Sequence, residues 1–310
     1  NPQGSNADRG LLTDNYINPT DSTRHSNIRS IKLDQTVGSK GRISLYLQET
    51  NTNVNRSPTG LSPLPDLLSS GFSSFSSGTT ARLNYDYTAT SRLLLHGGIG
   101  WNDSDFKLNA LVEDYNAATT LGLQGALLNK YFPIIITSAS ANNAIGGMSQ
   151  LGTGGPTASY ERRPSLTASA SYVTGSHTIK MGVDYRQEKF PQVIDAFSQG
   201  QYTFGTSMTE QPSLLGQNIN NGFVGFQFAS FLLGGESAVT YAYPTSSSYS
   251  KQQWGIFAQD TWKLTRKLTL DYGVRWDYGT YAKEQYGRFS NFDLNTANPS
   301  AAGHPGAAIY

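Results

Sequence analysis

The sequence predicts an all-β fold: an antiparallel transmembrane β-barrel, present in part as about ten strands of a larger barrel, with long extracellular loops. Three observations predict it. Apolar and polar residues alternate with period two in many separate stretches. Short turns and long connections alternate between those stretches. Charged residues make up only 15% of the chain, while 32 Gly and 18 Tyr stand out among 310 residues. Soluble domains keep about a quarter of their residues charged. Here uncharged Ser, Thr, Asn, Gln and Gly supply the polarity behind a mean hydropathy of −0.41. A barrel uses this mix as aromatic girdles, a polar or small-residue lumen and loose polar loops.

The clearest alternation is at 268–279. Leu268, Leu270, Tyr272, Val274, Trp276 and Tyr278 fall on one face; Thr269, Asp271, Gly273, Arg275, Asp277 and Gly279 fall on the other. In a second run, Ile179, Met181, Val183 and Tyr185 oppose Lys180, Gly182, Asp184 and Arg186. Leu166, Ala168, Ala170 and Tyr172 form a third apolar row, and Leu83, Tyr85 and Tyr87 a fourth. Leu93, Leu95, Ile99 and Trp101 share a face, as do Ile43, Leu45 and Leu47. Strands are expected near 27–37, 41–50, 81–89, 92–102, 165–173, 177–187, 200–207, 237–244, 251–263 and 267–279.

Tight turns are expected at 38–40, 90–91, 175–176 and 265–266. The connections 51–80, 103–164 and 188–199 read as long, the first two as outer loops of a single partial barrel domain spanning 1–310. A helix is expected within 108–131, from the spacing of Leu111, Tyr115 and Ala118, with a flexible tail at 146–155. One helical turn is expected at 228–233. Two joints break the rhythm: by parity 208–236 would lie on the short-turn side yet is long, and 244–250 would lie on the long-loop side yet is short.

Several classes lose support. A net charge of +1 gives no basis for nucleic-acid capture. The absence of cysteine removes disulfides and thiol chemistry. The longest apolar runs, 131–136 and 228–233, fall far short of the ~20 residues of a spanning helix. Four histidines, His25, His96, His177 and His304, have no partner at metal-ligand spacing. Asp103 and Asp105 alone are too few for calcium and read as a turn. No nucleophile elbow, phosphate loop or dinucleotide fingerprint occurs. The expectation is a protein that is not an enzyme and takes no cofactor.

Some residues resemble a known family. Phe257, Gln259, Asp260, Trp262 and Lys263, a basic turn, then Leu268, Leu270, Gly273, Arg275, Trp276 and Asp277 resemble the barrel strands of TonB-dependent receptors. The stretches 175–186, 228–234 and 288–293 look like the Oar-like branch of that family. The resemblance is specific over 165–186 and 228–293. It implies a bulky cargo recognised by outer loops and an outer-membrane barrel of about 22 strands with a plugged lumen. It also implies energy delivered by the TonB complex acting on a plug. No signal peptide, TonB box, plug or terminal insertion signal is recognised in the 310 residues, so an internal fragment is expected.

Lys180, Asp184, Arg186, Asp271, Arg275 and Asp277 are candidate lumen-facing residues, forming a ladder toward cargo or plug. The plainer reading is a solvated wall with cross-strand pairs. Tyr85, Tyr87, Trp101, Tyr172, Tyr185, Trp254, Trp262, Trp276 and Tyr278 read as interface-belt residues, the rival being a carbohydrate-stacking surface. Alternative functions are a passive porin-like or structural outer-membrane barrel, and a secreted β-rich glycan-binding protein with a dry core. An open sheet would leave two unpaired edges prone to association.

Overall fold

The computed structural model describes residues 21–56, 64–123, 130–137, 150–210 and 225–309. Eight strands form one antiparallel wall in the order β1 (Arg24–Val37), β2 (Gly41–Val54), β3 (Phe72–Thr90), β4 (Leu93–Ala110), β6 (Thr157–Thr174), β7 (His177–Ile194), β10 (Thr245–Lys263) and β11 (Thr269–Gly279). Three short strands sit apart from the wall: β5 (Ile134–Thr137), β8 (Gln201–Phe204) and β9 (Ala238–Thr240), which form their own sheet. The two-residue β12 (Lys283–Glu284) pairs with β10, and β13 (Asn291–Ala297) pairs with β14 (Pro305–Ile309). The helices are short: α1 (Ala117–Leu121) and α2 (Gln227–Leu232). None is long and apolar enough to cross a membrane.

The strands expected at 200–207 and 237–244 exist as β8 and β9 but do not join the wall. This corrects the strand order and restores the rhythm. Residues 195–244 are one long connection between β7 and β10. The turns 38–40, 91–92, 175–176 and 264–268 now share one end, and 55–71, 111–156 and 195–244 share the other.

The connections after β2 and β4 are shorter than the sequence suggests, and the one after β7 begins later. Strand structure takes up 51–54, 72–80, 103–110, 157–164 and 188–194. Strands β3, β4, β6, β7 and β10 run to 18 or 19 residues. A tilted strand needs only about 9–11 to cross a membrane, so the excess projects on the long-loop side. Ser, Thr and charged residues fill it, as in the 245–253 half of β10. Outside lipid neither face needs an apolar row, so the period-two signal fades while backbone pairing continues. The helix expected in 108–131 reduces to α1, because Leu108–Ala110 completes β4 and Gly122, at φ +66°, caps the helix. Residues 124–129, 146–149 and Tyr310 lie outside the described residues.

Turn chemistry fixes the register. Thr174 pairs with His177 across a two-residue turn whose first member, Gly175, has φ +58°. That is the position where a type II′ hairpin turn needs glycine. Pro164 has no N–H to give, and the β6–β7 pairing lapses around it, between Arg162 and Ser165.

The wall is a single layer. Among the described residues the buried apolar side chains are few and lie mostly outside it: Ala110, Ala117, Tyr131, Ile134, Phe204 and Ala307. Met181, Ile256, Val274 and Trp276 on the wall are 51–71% exposed. A two-sheet sandwich would cover these side chains at about 10 Å spacing. Among the described residues no second sheet does, so the reading of a secreted protein with a dry core is set aside. Strands β1 and β11 leave open edges.

Candidate functional site

Residues directly opposite in an antiparallel pair share a face. The register therefore carries one face assignment across all eight strands. Starting from Val274, the apolar face passes through Ala258, Met181, Ala170, Leu95, Tyr87 and Gly41 to Val37. All nine candidate aromatics fall on this face. Tyr85, Tyr87, Tyr172 and Trp262 lie toward the short turns. Trp101, Tyr185, Trp254, Trp276 and Tyr278 lie toward the long loops. On β10, Trp254 and Trp262 are eight residues apart, ~20 Å along the normal of a tilted strand, close to the ~25 Å apolar band of such barrels.

The opposite face is polar, and all six candidate charges lie on it. Lys180, Asp184 and Arg186 stand on β7, and Asp271, Arg275 and Asp277 on β11. Strand β10 lies between, presenting Gly255, Phe257, Gln259 and Thr261 to the same side. The Arg275 guanidinium donates to Asp277 through Nε at 2.9 Å and to Asp184 Oδ2 through a terminal nitrogen at 2.8 Å. It reaches Asp184 over Gly255, where a Cβ would stand 2.7 Å from that carboxylate oxygen. The ladder breaks up elsewhere. Arg186 turns to Glu188 at 3.8 Å, and Lys251 reaches Glu188 at 2.9 Å. Asp271 accepts from Thr261 at 2.5 Å. Lys180 forms no ion pair among the described residues. It borders a depression of about 360 Å³ with Phe257, Gln259, Gly273 and Arg275. The Phe257 ring lies against Gly182 and 6.0 Å from the Arg275 guanidinium.

Sequence reasoning missed a second polar group, on β1–β4. Asp34 accepts from Ser44 at 2.6 Å and pairs with Arg42 at 3.1 Å and Lys32 at 3.3 Å. His96 Nδ1 lies 2.7 Å from Asp86. A shallow depression of about 460 Å³ runs beside them, lined by Lys32, Tyr46, Gln48, Thr80, Arg82 and Asn84. Alternation marks these as polar-face residues, but pairing partners depend on register, which a sequence does not print. One acid beside one histidine is no metal set, and no group of three ligating side chains occurs among the described residues. Asp103 and Asp105 prove to be strand residues. Asp103 accepts from Trp101 Nε1 at 2.9 Å, and Asp105 pairs with Arg162 at 2.5 Å.

The long loops are knitted together. Strand β5, from the connection after β4, pairs in parallel with β8, from the connection after β7, and β9 adds on the other side. Gly152 N donates to Leu68 O at 3.0 Å and so ties in the connection after β2. Phe231 of α2 packs edge-on against Phe204 at 5.3 Å. Tyr131 is 5% exposed. Burial pushes its hydroxyl up to about 12, with Glu113, Asp195 and Asp114 adding to the rise. Burial and the hydrogen bond with Tyr241 raise Tyr202 likewise. Beyond β11, Glu284 accepts from Arg288 at 2.5 Å and from the backbone N–H groups of Tyr286 and Arg288. These bonds hold its carboxyl down at about 2.

A model of the outer membrane β-barrel domain family matches residues 1–310. Solved structures of similar shape include the outer membrane transporter YddB from Escherichia coli. It is 10% identical with a TM-score of 0.53, over 90% of this chain and 32% of that one. Others are the ferric-catecholate import receptor Fiu from E. coli K12 in its open form and BauA, the ferric preacinetobactin receptor from Acinetobacter baumannii. Fiu is 11% identical with a TM-score of 0.42, over 100% of this chain and 54% of that one. BauA is 14% identical with a TM-score of 0.42, over 93% of this chain and 43% of that one. At these identities the likeness concerns fold alone, and YddB alone of the three has a TM-score above 0.5. The chain spans 32–54% of the length of these structures. A search of curated proteins finds no relative by sequence. The single-layer antiparallel wall, its apolar outer face with two aromatic rows and the full-length family match lead to one conclusion: this chain belongs to the outer membrane β-barrel domain family and resides in the bacterial outer membrane.

Proposed function

We propose that this chain is part of the wall of an energised transporter of the TonB-dependent receptor type, of the Oar-like branch, and that its role is transport rather than catalysis. The observation that carries the reading is the division of labour across one layer. An apolar face meets lipid, a charged face with depressions beside Lys180 and Arg82 lines a wet lumen, and three connections from one end interlock. The motif from Phe257 to Asp277 adds the family resemblance. In this reading the short turns lie in the periplasm and the knitted loops outside, where they meet a bulky cargo. The lumen charges keep the passage hydrated and face a plug on which TonB acts.

Planar-bilayer conductance of the whole protein that contains this wall tests the reading. A plugged transporter gives no steady open channel, and its uptake stops when TonB is deleted. A stable ohmic channel with TonB-independent uptake would contradict the proposal and support a passive porin.

A further inference from the structure

We propose that the short-turn end of the wall is a docking collar for anionic phospholipid headgroups. The inference rests on the reading that this end lies at the membrane surface. The turns carry Lys40, Arg92, Arg266 and Lys267. All four residues are exposed. None forms an ion pair among the described residues. Lys40 donates to the carbonyl of Ala89 at 2.9 Å, which anchors its ammonium and leaves the charge uncompensated.

No Asp or Glu lies in the turns to offset them. The nearby acids form no ion pair with them among the described residues. Asp34, Asp86 and Asp271 face the lumen, where they bond Arg42, His96 and Thr261. Asp260 faces outward at this level, and its Oδ2 meets His177 at 2.6 Å and accepts from Tyr272 at 2.8 Å. The opposite end has the reverse balance. Its three long connections contain Arg56 and Lys130 against six acids, among them Asp66, Glu113 and Asp195. The positive pole is therefore a property of one end, not of the whole chain, whose net charge is +1.

Just above the collar, Tyr87, Tyr172 and Trp262 present amphipathic rings outward, at the depth where headgroup and acyl chain meet. Turns of two to five residues keep the cations next to that row along the chain. A phosphodiester with no ammonium of its own is the charge this geometry complements. The attraction per basic residue is short-ranged, falling off within the ~8–10 Å Debye length of physiological salt. A zwitterionic headgroup carries its own cation and gains less.

The test uses the whole protein reconstituted in bilayers, with Trp262 as its sole tryptophan and brominated phosphatidylglycerol or brominated phosphatidylcholine as quencher. The expected result is a several-fold tighter association of phosphatidylglycerol. That preference falls toward one in about 1 M salt, where the Debye length is about 3 Å. It also falls in Arg266→Gln/Lys267→Gln. Equal association of the two lipids at low salt would overturn the collar and leave the barrel standing, as would a preference that survives both salt and substitution. Failure of either lipid to quench Trp262 would overturn the collar and the membrane placement together. The salt series needs no turn substitution, so it decides the matter even if the double variant misfolds.

Discussion

Arg275 and Asp184 sit on strands that do not pair, yet their side chains meet at 2.8 Å over the strand between them. Gly255 makes the crossing, since any side chain there would stand where the guanidinium passes. Replacing Gly255 by Ala is expected to displace Arg275 and open the ion pair. Both partners are 39–46% exposed, so the loss in stability is expected to be small, as for solvated pairs. Urea unfolding of the reconstituted protein measures it. A large loss would mean the polar face is dry at this point.

Adjacent glycines separate the two faces. Gly97 points to the apolar side with nothing within 4 Å of a Cβ, whereas Gly98 points to the polar side against Asn84 Oδ1 at 2.6 Å and Thr167 Oγ1 at 2.8 Å. Gly97→Val is expected to fall within about 0.5 kcal/mol of the parent. Gly98→Val is expected to cost about 1–3 kcal/mol by overpacking. Thermal unfolding of the two variants compares them, and equal effects would contradict the face assignment.

At mid-wall, Met181 faces outward beside Ala170 and Ala258. Met181→Arg is expected to cost about 2–4 kcal/mol, as for a charge at the bilayer midplane on the lipid face. Its neighbour Lys180 lies on the opposite, polar face, and Lys180→Gln is expected to change stability by no more than about 0.5 kcal/mol. Folding titrations in lipid vesicles read both. A harmless Met181→Arg would place that face in water.

The Glu284–Arg288 clasp has a pH signature. Glu284 is held at about 2 against an ordinary 4.5, first by Arg288 and then, opposing its burial, by the Arg288 and Tyr286 amides. A lowered carboxyl contributes its stabilisation in full above the unfolded value and loses it as pH falls through the folded one. Hydrogen-exchange protection of 280–289 is therefore expected to hold down to pH ~4.5 and to disappear toward pH ~2. Glu284→Gln is expected to remove that transition, and a clasp equally protected at both limits would contradict the assignment.

Much of the wall was legible in the sequence because lipid imposes a strict period. At 179–185 and 268–278 every second residue is apolar, so the faces follow from spacing alone and the nine aromatics fall on one of them. The six lumen candidates also fall on one face, for the same reason. What spacing could not show is which of them meet. Arg275 finds Asp184 because register and a glycine allow it, while Arg186 beside it turns to Glu188. Strands β3, β4, β6, β7 and β10 extend past the expected limits because backbone pairing persists where Ser and Thr face water on both sides. The three-residue β9 and four-residue β5 and β8 carry too few residues to show a period. Their placement in a separate sheet comes from loop-to-loop pairing that no local pattern encodes.

The direct test of the membrane wall is a cysteine scan of 177–187 in the reconstituted whole protein, made clean by the absence of native cysteine from this chain. Each single cysteine carries a spin label, read for collision with a lipid-soluble and a water-soluble relaxant. Strict alternation is expected, with 179, 181, 183 and 185 accessible from lipid and 180, 182, 184 and 186 from water. Protection from both relaxants at the odd positions would show a buried sheet face and contradict the transmembrane wall.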